Sequence, residues 1–192
     1  MNKNIYFVLS AFVIITILSR LTPLVYNFSP IIGLSLFGAA YIESRKLSYA
    51  VPLVLIYFTD FIINNTVFRQ FFPNQDGLVW FSSYMIWGFL SYILIVTIGH
   101  WLLRKVNIKT LTISVLSSSV VFFLISNFGV WISSNGTTYS KDLTGLILCY
   151  EMAIPFFRSS LMGDMMSTAI IFGGYFILQR YAPQGAERVS IS

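Results

Sequence analysis

Residues 78–103 read LVWFSSYMIWGFLSYILIVTIGHWLL, and residues 110–140 read TLTISVLSSSVVFFLISNFGVWISSNGTTYS. Neither run contains an Asp, Glu, Lys or Arg. A helix rises about 1.5 Å per residue, so about 20 apolar residues cross the hydrocarbon core of a bilayer. Both runs exceed that length without a charge, and Arg104, Lys105 and Lys109 separate them. Lipid is therefore the solvent of this chain. The informative residues are the few polar ones that lipid should have excluded.

The composition agrees. Hydrophobic residues make up 56% of the 192, and charged residues only 10%, against about 25% in soluble domains. Eighteen Phe, eleven Tyr and four Trp suit helix packing and the membrane interface. One cysteine, Cys149, excludes an intramolecular disulfide. The expected organisation is one transmembrane domain over residues 1–182, followed by a flexible cytoplasmic tail over 183–192. The net charge of +5 reflects membrane topology rather than nucleic-acid binding.

Six spans are the most economical reading: Ile5–Ser19, Pro30–Ile42, Leu47–Ile63, Val79–Leu103, Thr110–Ile132 and Ser160–Tyr181. Pro30 suits the start of a helix because its missing N–H costs nothing there. The positive-inside rule sets the orientation. With the N-terminus inside, Lys3, Arg45, Lys46, Arg104, Lys105, Lys109, Arg180 and Arg188 fall on the inner side. Arg20, Arg69, Lys141 and Arg158 fall outside. Both termini are thus expected in the cytoplasm.

Ionisable groups at membrane depth are costly and mark function or a packed polar network. Here they gather in the outer half: Arg20 closes span one, Asp60 and Asn64 end span three, and Asn127 and Trp131 lie one turn apart in span five. Glu151, Arg158 and Asp164 follow between spans five and six. Asp142 is a plausible helix cap, and Leu143, Leu146, Ile147, Tyr150 and Ile154 recur at helical spacing. The Asp142–Phe157 segment therefore reads as a short outer-surface or re-entrant helix, interrupted by Pro155, that lies over the bundle as a lid. Two readings of the polar cluster stay open. Its charges pair to pin the short spans, or they line a ligand pocket open to the outside. Tyr26, Phe28, Trp80, Tyr84, Trp131 and Tyr139 could stack on a planar ligand or serve as interfacial belt residues.

Small residues form a second pattern. Gly33, Ser35, Gly38, Ala39 and Ala40 smooth span two, and Gly163, Gly173 and Gly174 smooth span six. Such faces serve close internal packing or the docking of another membrane subunit. No phosphate-binding loop, zinc motif or serine-nucleophile motif is present. His100, the single histidine, reads as an interface residue. A non-enzymatic protein without a cofactor is expected.

The stretches Arg20-Leu21-Thr22-Pro23, Asn27 to Ala40, Ser126-Asn127-Phe128-Gly129-Val130-Trp131, Gly145 to Tyr150, Ile154-Pro155-Phe156-Phe157 and Gly163-Asp164 resemble an uncharacterised family of small bacterial multi-pass membrane proteins. In size and hydropathy that family is similar to the substrate-binding S components of energy-coupling-factor vitamin transporters. The resemblance implies an all-α, six-helix protein of the bacterial cytoplasmic (inner) membrane with an outward pocket for a small vitamin-like solute. It also implies partners: a transmembrane coupling subunit with ATPases. The small-residue docking motif of S components usually lies in the first helix, whereas here it lies in the second. Arg20, Asp60, Asn64, Asn127, Trp131, Glu151, Arg158 and Asp164 are the expected ligand-binding residues. The alternative is a non-catalytic subunit of a larger inner-membrane complex.

Overall fold

In the computed structural model, residues 3–21, 30–134, 136 and 138–181 are described. The expected tail at 183–192 lies outside them. The described chain is all-helical: α1 (Lys3–Leu21), α2 (Ile31–Tyr41), α3 (Arg45–Asn65), α4 (Ser83–Leu102), α5 (Ile108–Ser133) and α6 (Leu143–Tyr181), with one short 3-10 turn at Arg69–Phe71. Helices α3 to α6 are each long and apolar enough to cross a membrane, while α1 and α2 are shorter apolar helices. Phe7, Phe58, Ile170 and Phe176 are all more than half exposed, as expected of side chains that meet acyl chains rather than water. The chain is a multi-pass membrane protein.

Local chemistry starts the helices where the sequence places them. Ser44 caps α3 by accepting a hydrogen bond from the Leu47 N–H at 3.4 Å. Asn107 caps α5, accepting from the Thr110 N–H at 2.9 Å while its own N–H donates to Thr110 Oγ1 at 3.1 Å. These side chains satisfy donors that a helix start leaves without an intrahelical acceptor.

Contacts between helices fix their directions. Gly33, Phe37 and Tyr41 of α2 meet Thr168, Phe172 and Tyr175 of α6 in the same order, so these two helices run parallel. Arg20 at the end of α1 pairs with Asp60 near the end of α3. Tyr92 of α4 packs on Phe122 of α5, and Trp87 of α4 lies against Gly129, which makes α4 and α5 antiparallel. The six helices therefore alternate in direction. The turns bearing Arg45–Lys46 and Arg104–Lys105 share one end of the bundle, where His100 Nε2 and Ser48 Oγ lie 2.9 Å apart. The Arg20–Asp60 pair lies at the other.

At the centre is α2. Every residue from Ile31 to Ala39 is buried. Its 11 residues rise about 16 Å, half the hydrocarbon thickness. A helix apolar on all sides belongs inside a bundle, and one this short can sit at membrane depth only where protein surrounds its ends. Small residues make the fit possible. A Cβ on Gly99 would come within 2.6 Å of Ala39 Cβ, and one on Gly33 within 3.0 Å of Thr168 Oγ1. The small face of α2 is thus spent on internal packing and is closed to an outside subunit. At Gly173 and Gly174 of α6, by contrast, nothing lies within 4 Å of where a Cβ would stand.

One element corrects the sequence reading. The Asp142–Phe157 segment is no separate surface or re-entrant helix, because it continues without a break into the last span as the 39-residue α6. Pro155 forfeits one backbone bond and costs about 3 kcal/mol in a helix interior. Contacts on both sides of it hold the helix on α5: Phe123 packs on Tyr150 and on Phe157, and the Tyr150 hydroxyl donates to the Leu124 carbonyl at 2.7 Å. At about 1.5 Å per residue, α6 is some 58 Å long, well beyond a hydrocarbon core of about 30 Å.

Enlarging Gly99 tests the central packing. Gly99→Leu should lower stability by about 1–3 kcal/mol through overpacking, read as an earlier thermal transition in detergent. Gly174→Ala, with open space around it, should hold that transition or raise it slightly, since Ala is the better helix former.

Candidate functional site

The eight expected site residues separate into three groups. Arg20, Asp60 and Asn64 come together. They line a cavity of about 540 Å³ at the end of the bundle opposite the basic turns, with Phe68, Phe71, Phe72, Ser82, Tyr84, Met85 and Val130. Asp60 and Asn64 lie four residues apart on α3 and so share one face, and the end of α1 brings Arg20 to it. The Arg20 guanidinium donates to Asp60 Oδ1, and both side chains are about one-fifth exposed. Among the described residues, buried Arg20 Nε has no acceptor, and neither has buried Asn64 Nδ2. Two donors with no acceptor among the described residues thus stand beside one void. Each buried unmatched donor costs about 1–3 kcal/mol, an outlay that an occupant bearing acceptor atoms would recover.

The cavity is covered by the connection from α3 to α4, not by the segment expected as a lid. Asn65 clamps this connection, donating from Nδ2 to the Val79 carbonyl at 3.0 Å while its Oδ1 accepts from the Val79 N–H at 2.8 Å. Arg69 donates to the Gln75 carbonyl at 2.6 Å, and the short 3-10 turn presents Phe68, Phe71 and Phe72 to the cavity. Their clustering at 68–72 was visible in the sequence as aromatic residues concentrated in a connection.

Asn127 and Asp164 form a second group. They border a smaller void of about 240 Å³ between α5 and α6, with Ser119, Ser126 and Ser160. Asp164 is 6% exposed and accepts a hydrogen bond from Ser119 Oγ at 2.8 Å. Asn127 donates to the Phe123 carbonyl at 2.8 Å. Asp164 is one turn before Thr168, the neighbour of Gly33, so it stands about 6 Å beyond that contact, level with the N-terminal end of α2. Tyr92 of α4 is buried and packs on Phe122 of α5, which lines the same void. Tyr92 and Ser119 escaped the sequence reading. Ser119 belongs to the serine triplet 117–119, a polar cluster within that apolar run.

Trp131, Glu151 and Arg158 belong to neither void. Trp131 secures the α5–α6 connection: its Nε1–H donates to the Ser140 carbonyl at 2.9 Å, and Lys141 Nζ donates to the Trp131 and Ile132 carbonyls at 2.7 and 2.8 Å. The ammonium thereby satisfies carbonyls at the end of α5 and sits 5.5 Å from the Trp131 ring centroid. Glu151 and Arg158 are exposed on α6 and make no ion pair among the described residues. Cys149 is buried, its thiol 3.5 Å from the Asn127 carbonyl. Of the aromatic candidates, Tyr84 lines the larger cavity and Trp80 packs on Phe61. Tyr26 and Phe28 lie outside the described residues.

Residues 1–185 match a family described as a family of unknown function, DUF6580. The chain belongs to this family. No curated protein and no solved structure matches the chain. Among the described residues, no group of three or more His, Cys, Asp or Glu side chains is placed to hold a metal ion.

Two outcomes follow from this geometry. Arg20→Leu or Asp60→Leu alone should destabilise by about 3 kcal/mol, because each strands a partly buried charge, and the double substitution should recover most of that loss; thermal unfolding of the three variants in detergent checks it. At the start of α6, the Gly145 N–H and the Ser140 hydroxyl donate to Asp142 and hold its carboxyl below the usual carboxylate range. A depressed folded pKa stabilises above the ordinary value and ceases to do so as pH falls through the folded one. The difference in melting temperature between the wild type and Asp142→Ala should therefore be present at neutral pH and shrink in acid.

Proposed function

We propose that this protein is a membrane-embedded, non-catalytic binding protein for a small vitamin-like solute, taken from the outer side of the cytoplasmic membrane in the manner of the S components it resembles. One observation carries the reading: the 540 Å³ cavity in which Arg20 Nε and Asn64 Nδ2 stand buried without acceptors among the described residues. That volume lies within the usual range for small-molecule sites. The chemistry favours a solute with carbonyl, ring-nitrogen or carboxylate acceptors facing Arg20 and Asn64. Phe68, Phe71, Phe72 and Tyr84 offer ring faces for a planar body. Asp60 already neutralises most of the Arg20 charge, so a strongly anionic solute is not required.

On this reading the chain crosses the membrane six times, with α2 lying in the inner half, and both termini are cytoplasmic. The alternating helix directions support it, as does the gathering of Arg45, Lys46, Arg104, Lys105 and Lys109 at one end. The cavity then opens outward, and α2 plugs the inner half. A solute would pass only through a rearrangement of α2 or with a coupling subunit and its ATPases. Since the small face of α2 is buried, such a subunit would engage a different surface.

A second reading, a non-catalytic subunit of a larger inner-membrane complex, draws support from the first half of α6. There Leu143, Ile147, Leu148, Met152 and Phe156 are exposed beside Glu151 and Arg158. A stable stoichiometric complex in mild detergent, formed through this face, would favour it.

Native mass spectrometry of protein extracted from its own membranes tests the binding reading. A non-lipid small molecule should copurify with the wild type and fall at least about tenfold in occupancy with Asn64→Leu, the equivalent of losing one well-buried polar contact, at an unchanged melting temperature. An empty wild-type protein, or a bound molecule indifferent to Asn64→Leu and to Arg20→Leu/Asp60→Leu, would refute it.

A further inference from the structure

We infer that the groove between the start of α5 and the second half of α6 is a specific site for an anionic phospholipid of the leaflet at the basic end, with its phosphate at Lys109 and one acyl chain lying along α6. The groove encloses about 780 Å³ and has almost wholly apolar walls, among them Val115, Phe172 and Phe176. Its hollow comes from the short side chains of Ala169 and Gly173 on α6, and nothing lies within 4 Å of where a Cβ on Gly173 would stand.

Dimensions and charge select the occupant. From Met165 to Phe176, α6 rises about 16 Å, and half of a hydrocarbon core of about 30 Å is about 15 Å. The groove therefore has the depth of one leaflet. Its mouth is at the end of the bundle where the basic turns lie, and Lys109 lines it directly. Arg104 and Lys105 are exposed in the adjoining turn, and residues 101–110 contain no Asp or Glu. Three cations with no ion pair among the described residues, at and beside the mouth of an apolar, leaflet-deep groove, match a phosphate-bearing headgroup above a hydrocarbon tail. An apolar peptide segment would leave those charges unmatched. The site lies at the opposite end of the molecule from the solute cavity and stands independently of the function proposed for it.

The experiment compares phosphatidylglycerol with phosphatidylcholine of identical acyl chains, each titrated into delipidated full-length protein and followed by native mass spectrometry and thermal shift. The wild type should hold one phosphatidylglycerol in preference to phosphatidylcholine. Lys109→Gln should weaken phosphatidylglycerol about fivefold, the loss of one cation near a headgroup, and bring it close to phosphatidylcholine. Gly173→Phe should fill the groove and abolish the one-to-one complex with both lipids while lipid-free stability holds. Gly174→Phe, outside the groove, should retain the complex. Ala169→Leu replaces Gly173→Phe should the latter fail to fold. Equal binding of the two lipids by the wild type, a one-to-one complex that survives filling of the groove, or a copurifying protein subunit in place of lipid would each overturn the assignment.

Discussion

The short helix α2 is the constraint on which the rest of this structure depends. In hydrocarbon, every backbone donor and acceptor needs a partner supplied by protein, and a helix of 11 residues spans only half of the core. It is stable there only while other helices enclose it. Association in lipid gains little from the hydrophobic effect and relies on close van der Waals contact, so the enclosure rests on Gly99 admitting Ala39, Gly33 admitting Thr168, and the ring cluster of Phe37, Tyr41, Phe172 and Tyr175.

A plug in one half of a bundle leaves the other half with a different character. Beyond the N-terminal end of α2 the neighbouring helices carry Asp164 and Tyr92 in their buried faces, and Arg20, Asp60 and Asn64 towards the end of the bundle. These groups would be costly facing lipid, and the bundle gathers them where they can pair with one another or border a cavity. Among the described residues the pairing is incomplete: Arg20 Nε and Asn64 Nδ2 keep unmet hydrogen-bonding capacity. The opposite end has the converse composition, with basic turns and an apolar groove. This polarity along the membrane normal ties the two proposed ligands, a solute at one end and a lipid at the other, to a single architectural cause.

Much of the fold was legible in the sequence because charge-free runs and their flanking Arg and Lys residues report membrane crossing directly. Five of the six helices begin and end within a few residues of their expected limits. The sixth was split at Pro155, a sound local inference that the packing of Phe123 against Tyr150 and Phe157 overrode. Part of the site was legible as well. Asp60 and Asn64 share a helical face by spacing alone, and Arg20 was placed at the same depth by topology. Trp131, Glu151 and Arg158 share that depth too, yet depth says nothing about the direction in which a side chain points around the bundle axis. For this reason the expected cluster resolved into two voids, a loop clasp and an exposed helix face.

By itself, then, the sequence determined the solvent, the helix positions and the segregation of charge between the two ends. Each of these depends on local composition counted along the chain. The tertiary structure decided that α2 is central and enclosed, that the α3–α4 connection covers the cavity lined by Arg20, Asp60 and Asn64, and that Ser119 meets the buried Asp164. Those features depend on which faces meet after helices distant in the chain have packed, and no periodicity in a single segment encodes the rotation of its neighbour.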